Sequence, residues 1–291
     1  MILRFNLAGC WFYHKVGLLY CFKRQDVKSQ ITYIEAYDPY KQEIRLRYFC
    51  GTESLEEFFV GDKEIIPTHA KTVRHDFLKR TFCLERLLWL PLSGTSGKLH
   101  CRINNKESCI TIAGKQYKEF PIENIQSLFK STAKVYPQNA PWIIFDRETQ
   151  ADDNAEHLYR WIQRHHPERN AYFVLQKSSH DWCRLKKEGF RMLDYGSPEH
   201  EARLRECSKI ISSHIDGYVV NYFGDNSTDD KQICWLQHGV IKDDLSRWLN
   251  SKKRIDLFVT ETPAEYASII GDATRYRLTD KEVKLLGLPR H

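Results

Sequence analysis

The chain has no run of 18 apolar residues, no C-x-x-C pair, no internal repeat and no low-complexity tract. Without the apolar run, a membrane-spanning helix is not expected. The nine cysteines stand singly at 10, 21, 50, 83, 101, 109, 183, 207 and 234. Their odd number and scatter argue against a disulfide framework and a zinc site, and suit thiols buried in a reducing cytoplasm. His180 with Cys183, and the pair His165–His166, offer ligand atoms, but no second cluster supplies the remainder a metal needs. No metal and no cofactor is therefore expected. Lysines and arginines are dispersed and accompany no known motif, so nucleic acid is not an expected partner. Aromatics at 13% exclude disorder as a general description. The formal charge of +6 is mild. It is compatible with a phosphate-bearing substrate or an anionic membrane surface, and equally with an ordinary soluble surface. The first 22 residues faintly resemble a signal peptide, but His14 and Lys15 interrupt them and no small-residue cleavage site is evident, so they read as strand.

With 291 residues the chain can hold one large domain or two ordinary ones. Residues 1–125 read as β-rich. Strands are expected over Ile31–Tyr37, Glu43–Phe49, Lys98–Ile103, Ser108–Ile112 and Tyr117–Phe120, with turns at Asp38-Pro39, Gly51, Gly61-Asp62, Gly94 and Asn104-Asn105. The apolar residues around Phe77–Leu90 fit strand or short helix equally. A small β-sandwich or barrel is the expected form, serving as an accessory module. Ile122–Tyr136 reads as a short helix and linker, and the expected domains are 1–125, a linker over 126–140, and 141–291.

From Pro141 strands alternate with helices, the α/β pattern. Strands are expected at Trp142–Phe145, Ala171–Leu175, Arg191–Asp194, Lys209–Ser212, Tyr218–Gly224, Ile233–Leu236 and Ile255–Val259. Helices are expected over Ala155–His165 (Leu158, Trp161 and Ile162 inward), Ser179–Glu188 ending at Gly189, Ser197–Cys207, Asp243–Leu249 and Ala264–Ile270. An exposed loop is expected over Asn226–Asp230. Ser197-Pro198 is an N-cap followed by a first-turn proline.

The stretch K-Q-I-C-W-L-Q-H-G-V-I-K-D-D-L-S-R-W-L-N, residues 231–250, organises the rest. An apolar strand leads to Gln237, His238 and Gly239, and a helix follows. In open α/β sheets ligands bind beyond the carboxyl ends of the strands, where His238 would stand. Gly239 would let the backbone turn sharply, and the N–H groups of the next helix, with Lys242, could receive an anion. Proton transfer near a phosphate is one reading of this histidine; a structural hydrogen bond at a strand end is the other. Asp153 and Asn154 follow the first strand. Asp153 with Glu156 also makes a D-x-x-E capping box that needs no ligand. Arg147, past the same strand, could grip a phosphate or simply face solvent. Ser213 and His214 could line the same cleft, with a satisfied core histidine as the other account of His214.

L-Q-H-G-V-I-K-D-D-L-S-R-W-L-N closely resembles the signature of the CDP-glycerol glycerophosphotransferases, the family of teichoic acid and phosphate-containing capsule polymerases. I-D-L-F-V-T-E-T-P-A-E-Y at 255–266 and V-K-L-L-G-L-P-R at 283–290 resemble the next two family blocks in order, and D-D-N-A-E-H-L-Y at 152–159 resembles the family's D-N element. Residues 1–130 carry no such block. The resemblance implies an enzyme that moves glycerol phosphate from CDP-glycerol, or ribitol phosphate from CDP-ribitol, to a hydroxyl of a polyol-phosphate or saccharide polymer, releasing CMP. It implies that 141–291 is one Rossmann-like half, the acceptor side, of a GT-B transferase. His238 would be the general base, a task suited to a group titrating near neutrality. Arg147, Asp153, Asn154, Gln237, Gly239, Lys242, Thr260 and Arg290 would bind substrate. In the family a second Rossmann-like domain follows the G-L-P-R block, and an aromatic residue and aspartate stand where this chain has His291. The chain therefore resembles the front part of such an enzyme, and a noncatalytic polymer-binding module is the rival reading. The expected setting is the cytoplasm, with contact at the inner membrane face and self-association both allowed.

Overall fold

The computed structural model describes residues 2–7, 10–15, 18–22, 30–38, 41–50, 54–77, 80–129, 136–224, 228, 230–251 and 255–291. Pro39, Gly51, Leu78, residues 130–135 of the expected linker, residue 225, and 226, 227 and 229 of the expected loop lie outside these. The chain divides into two units, Met1–Ser131 with Asp272–Arg277, and Thr132–Gly271 with Leu278–His291.

The first unit is built of strands. Ile2–Leu7, Cys10–Lys15 and Leu18–Phe22 form a three-stranded antiparallel sheet, consistent with strand at the N-terminus. The remaining strands form one mixed sheet of ten, where a sandwich or barrel was expected. The cause is a parallel pairing of Lys106–Ile112 with Gln30–Asp38, which joins late and early strands edge to edge. The undecided stretch around Phe77–Leu90 resolves into two antiparallel strands, His69–Phe77 and Arg80–Pro91. Asn104 and Asn105 stand at φ 52° and 60°, the left-handed pair a two-residue hairpin requires. In Glu43–Cys50 the alternate residues Ile44, Leu46, Tyr48 and Cys50 are all buried, the period-two signature of a strand with one core face. They share a core with Phe58, Leu99, Ile110 and, from the helix Ile122–Leu128, Ile122 and Ile125. Asp272–Arg277 belongs to this unit through a parallel bridge of Thr274 with Val73 and an Arg277–Glu85 ion pair of 2.8 Å.

The second unit is a parallel α/β layer. Its elements are β1 (Trp142–Phe145), α1 (Asn154–His165), β2 (Ala171–Leu175), α2 (Trp182–Lys187), β3 (Met192–Asp194), α3 (Pro198–Glu206), β4 (Lys209–Ser212), α4 (Gly217–Val220), β5 (Gln232–Trp235), α5 (Ser246–Leu249), β6 (Leu257–Thr260), α6 (Pro263–Ile270) and β7 (Val283–Leu285). All seven strands are parallel, in the order β3-β2-β1-β4-β5-β6-β7. The order reverses between β1 and β4, and a doubly wound sheet opens a crevice at that switch point, beyond the carboxyl ends. The strands are apolar runs because a parallel sheet is covered on its faces; Ile143, Ile144, Phe173, Val174, Ile210 and Phe258 are all fully buried.

Several expectations are corrected here. Tyr218–Gly224 is not a strand. Both neighbours of β4 are already taken, by β1 and β5, so 217–220 closes instead into one helical turn on the Asp216 carbonyl. Trp161 is half exposed. The buried stripe of α1 runs through Ala155, Tyr159 and Ile162, leaving Trp161 to stack on His165, one turn on, at 4.7 Å. The helix expected from Asp243 is a single turn from Ser246, and the Asp244 carboxylate accepts from the Ser246 N–H at 3.0 Å. That turn therefore offers no free helix head for an anion. Ser197 does cap α3, accepting from the His200 N–H at 3.2 Å, and Gly189 (φ +88°) follows α2. Among the described residues, no helix is long and apolar enough to cross a membrane.

Candidate functional site

The polar residues of the sheet's carboxyl edge converge at the switch point. Asp146 and Arg147 follow β1, and Ser213 and His214 follow β4. Asp146 is buried and organises the corner. Its carboxylate accepts from the N–H groups of Asp153 (3.1 Å), Ala155 (2.9 Å) and Glu156 (3.2 Å), and from the Ser213 hydroxyl (2.5 Å). It thus does from β1 what the capping box was expected to do from within α1. Burial lifts its pKa to about 6, even against the Ser213 and backbone donors that favour the charged form. Glu156 turns instead to the Asp152 N–H (2.7 Å) and to Arg160 and Arg184. Burial alone would raise its pKa, but the hydrogen bonds from Arg184 and Arg160 outweigh that and hold it at about 2.

Asn154 is the joint between three segments. Its Nδ2 donates to the Gln237 carbonyl at 2.8 Å and its Oδ1 accepts from the Arg290 N–H at 3.2 Å. Arg290 then donates through Nη1 to Asp153 (3.0 Å) and through Nη2 to the His238 carbonyl (2.8 Å). The family-like blocks at 152–159 and 283–290 therefore meet on the backbone of the block at 236–250.

His238 stands just past β5, its ring exposed and stacked on His214 with centroids 4.6 Å apart and planes 13° from parallel. The sharp turn before it is made by Gln237, at φ +62°, and not by Gly239, where an added Cβ would meet nothing within 4 Å. A left-handed non-glycine costs energy and persists where its surroundings hold it. Gln237 is held by its buried amide, which donates to the Val259 carbonyl (2.7 Å) and to Glu265 (3.1 Å). Glu265, itself buried, also accepts from the N–H groups of Ile241 (2.8 Å) and Glu261 (3.0 Å).

His214 is buried, and Arg147 Nε donates to its Nε2 at 3.3 Å. Burial first, then His238 and Arg147, push its pKa down to about 4. A pocket of about 100 Å³ opens beside it, lined by Arg147, Gln150, Asp152, Asp153 and His214 over Asp146. A larger apolar groove of about 630 Å³ lies along β4, β5 and β6 beside Trp161 and contains none of these groups.

Of the residues singled out in the sequence, His238, Arg147, Asp153, Asn154, Gln237 and Arg290 are thus linked in one corner. Thr260 is fully buried, its hydroxyl donating to the Lys284 carbonyl at 3.1 Å, and Lys242 is exposed beyond the turn. Asp146 and Glu265 were not foreseen. The signal for Glu265 was present as T-P-A-E, a capping box in which Thr262 accepts from the Glu265 N–H at 3.2 Å. Nothing in the sequence marks Asp146, whose role depends on β1 lying beside β4. Among the described residues, no three of His, Cys, Asp and Glu gather as a metal ion would need.

This corner can take a proton on the exposed histidine and hold polar groups against arginine and carboxylate. The chain is 35% identical over 165 residues to the minor teichoic acid biosynthesis protein GgaB of Bacillus subtilis (strain 168). This chain is a relative of GgaB. The match supports the family resemblance of the blocks described above. It covers 54% of this chain and 18% of GgaB, so the chain spans less than a fifth of that curated relative. No family model matches the chain.

Proposed function

We propose that the chain takes part in polyol-phosphate transfer to a teichoic-acid-like or capsular polymer, with His238 as general base. The donor is CDP-glycerol or CDP-ribitol. The observation that carries this reading is the exposed His238 ring at the switch point of the sheet, stacked on the His214 that Arg147 holds, with Arg290 joining the His238 carbonyl to Asp153, supported by GgaB's part in teichoic acid biosynthesis. In the step proposed, a polymer hydroxyl gives its proton to His238 as its oxygen bonds to the donor phosphorus. The P–O bond to the nucleotide breaks, and CMP leaves with the electron pair. Phosphoryl transfer asks the protein mainly for positioning and charge neutralisation, which the arginines supply. In this reading the second unit is the acceptor-side half of a GT-B transferase, working at the cytoplasmic face of the membrane.

The test is CMP release from CDP-glycerol, and in parallel CDP-ribitol, with a glycerol-phosphate primer. His238→Ala should lower the rate at least about 100-fold while leaving the circular dichroism spectrum unchanged, since the ring is exposed. Activity within tenfold of the wild type would remove His238 from the mechanism. Coverage of 18% of GgaB leaves a second reading, a module that recognises the polymer without turning it over. Saturable primer binding with no CMP release would favour that one.

A further inference from the structure

His214 has no part in the step just described, yet it is the residue most closely fitted to His238. Its place is fixed from three sides. The backbone N–H donates to Ser212 Oγ at 3.1 Å, the ring is buried, and Arg147 Nε donates to Nε2 at 3.3 Å. An arginine can only donate, so Nε2 must offer its lone pair, and the ring carries its proton on Nδ1 and no charge. The neutral face lies against the exposed His238 ring at 4.6 Å and 13°. We propose that His214 is a positioning residue that fixes the plane of the His238 ring and, locked by Arg147, leaves His238 as the only proton acceptor of the pair. The inference rests on His238 being the base.

Two imidazolium rings at stacking distance repel each other, so the pair disfavours a second proton. His238 and Arg147 disfavour a proton on His214, whereas Asp153 and Asp216 favour one. Burial tips the balance towards the neutral ring, in line with its depressed pKa. With His214 neutral, the cation formed on His238 lies over a π face instead of a like charge. A flat uncharged ring is therefore what the site needs at 214, which separates this role from a hydrogen-bonding or acid–base one.

The test uses the full chain, with transfer kinetics and histidine NMR read together. In His214→Ala, kcat should fall roughly 10- to 100-fold, the loss expected for a misplaced reacting group, with KM little changed. The ring-current shift that His214 imposes on the His238 ring protons should vanish. His214→Phe should restore kcat to within about fivefold of wild type and restore a ring-current shift. His214→Phe as impaired as His214→Ala, or unchanged kcat in His214→Ala, would overturn the proposal. NMR judges the pair independently of turnover. From pH 5 to 8 the wild-type His214 should keep the neutral Nδ1-protonated pattern. The opposite tautomer, or His214 taking the proton in that range, would refute the assignment. Should the wild-type chain release no CMP, these NMR outcomes still decide the pairing.

Discussion

Replacing Asp146 with alanine should destabilise the second unit more than any other single change at the carboxyl edge of the sheet. The carboxylate is 1% exposed and receives three backbone N–H groups of the first turn of α1 and the Ser213 hydroxyl. Removing it strands donors at the positive end of a helix, where a negative charge is favoured. A buried donor left without an acceptor costs about 1–3 kcal/mol, so three of them place the loss between about 3 and 9 kcal/mol. The Ser213 hydroxyl already accepts from the Ala155 N–H at 3.0 Å, and Asp153 lies nearer solvent. Both put the expected value near the lower end, about 4 kcal/mol. That is a large part of the 5–15 kcal/mol that typically holds a domain together. Asp146→Asn keeps one acceptor but presents an NH2 group to donors, and should lose about half as much. The assay is urea unfolding at pH 7, read as a shift in midpoint at constant slope, with hydrogen exchange at residues 153–157 locating the loss. A shift worth less than about 1 kcal/mol would show that α1 does not depend on this cap and would undo the description of Asp146 as the organiser of the corner.

Asn154→Ala should cost about 2–3 kcal/mol through the buried Gln237 carbonyl and Arg290 N–H it leaves unpaired, and should lower transfer further than stability alone explains. Glu156 sets an acid limb. Its folded pKa of about 2 lies below the usual 4.5, so its stabilisation is complete above pH 4.5 and lost as pH falls towards 2. The amount is about 3 kcal/mol. Asp146 has the opposite sign between pH 3.8 and 6, losing stability as pH rises, so the Glu156→Gln comparison should be made below pH 3.8, where the wild type must show the steeper acid loss. Lys231→Met should cost about 3 kcal/mol, since the buried ammonium donates to Tyr136 Oη (2.9 Å) and the Arg205 (3.2 Å) and Cys207 (3.1 Å) carbonyls; an unchanged thermal midpoint would refute this. Elemental analysis of purified protein should find less than one zinc per chain, and a stoichiometric value would contradict the reading of the cysteines.

Local pattern alone determined most of the second unit. Apolar runs such as Trp142–Phe145, Ala171–Leu175 and Lys209–Ser212 coincide with β1, β2 and β4 because a buried parallel strand has few other sequences open to it. The blocks around 152–159, 236–250 and 283–290 pointed to His238, Asn154 and Arg290 because they resemble blocks of a known family in the same order. What only the tertiary structure decided depends on neighbours distant in sequence. Strand propensity in Tyr218–Val220 yielded because no sheet position beside β4 remained, and one parallel pairing merged the strands of the first unit into a single sheet. Gln237, not the glycine two residues on, takes the left-handed turn because Val259 and Glu265 grip its amide. Asp146 caps a helix that begins eight positions later, and His214 meets His238 across 24 residues of chain, because β1, β4 and β5 lie side by side. Periodicity reports which way a side chain faces along its own element, whereas the contact that makes it functional is set by the order of strands in the sheet.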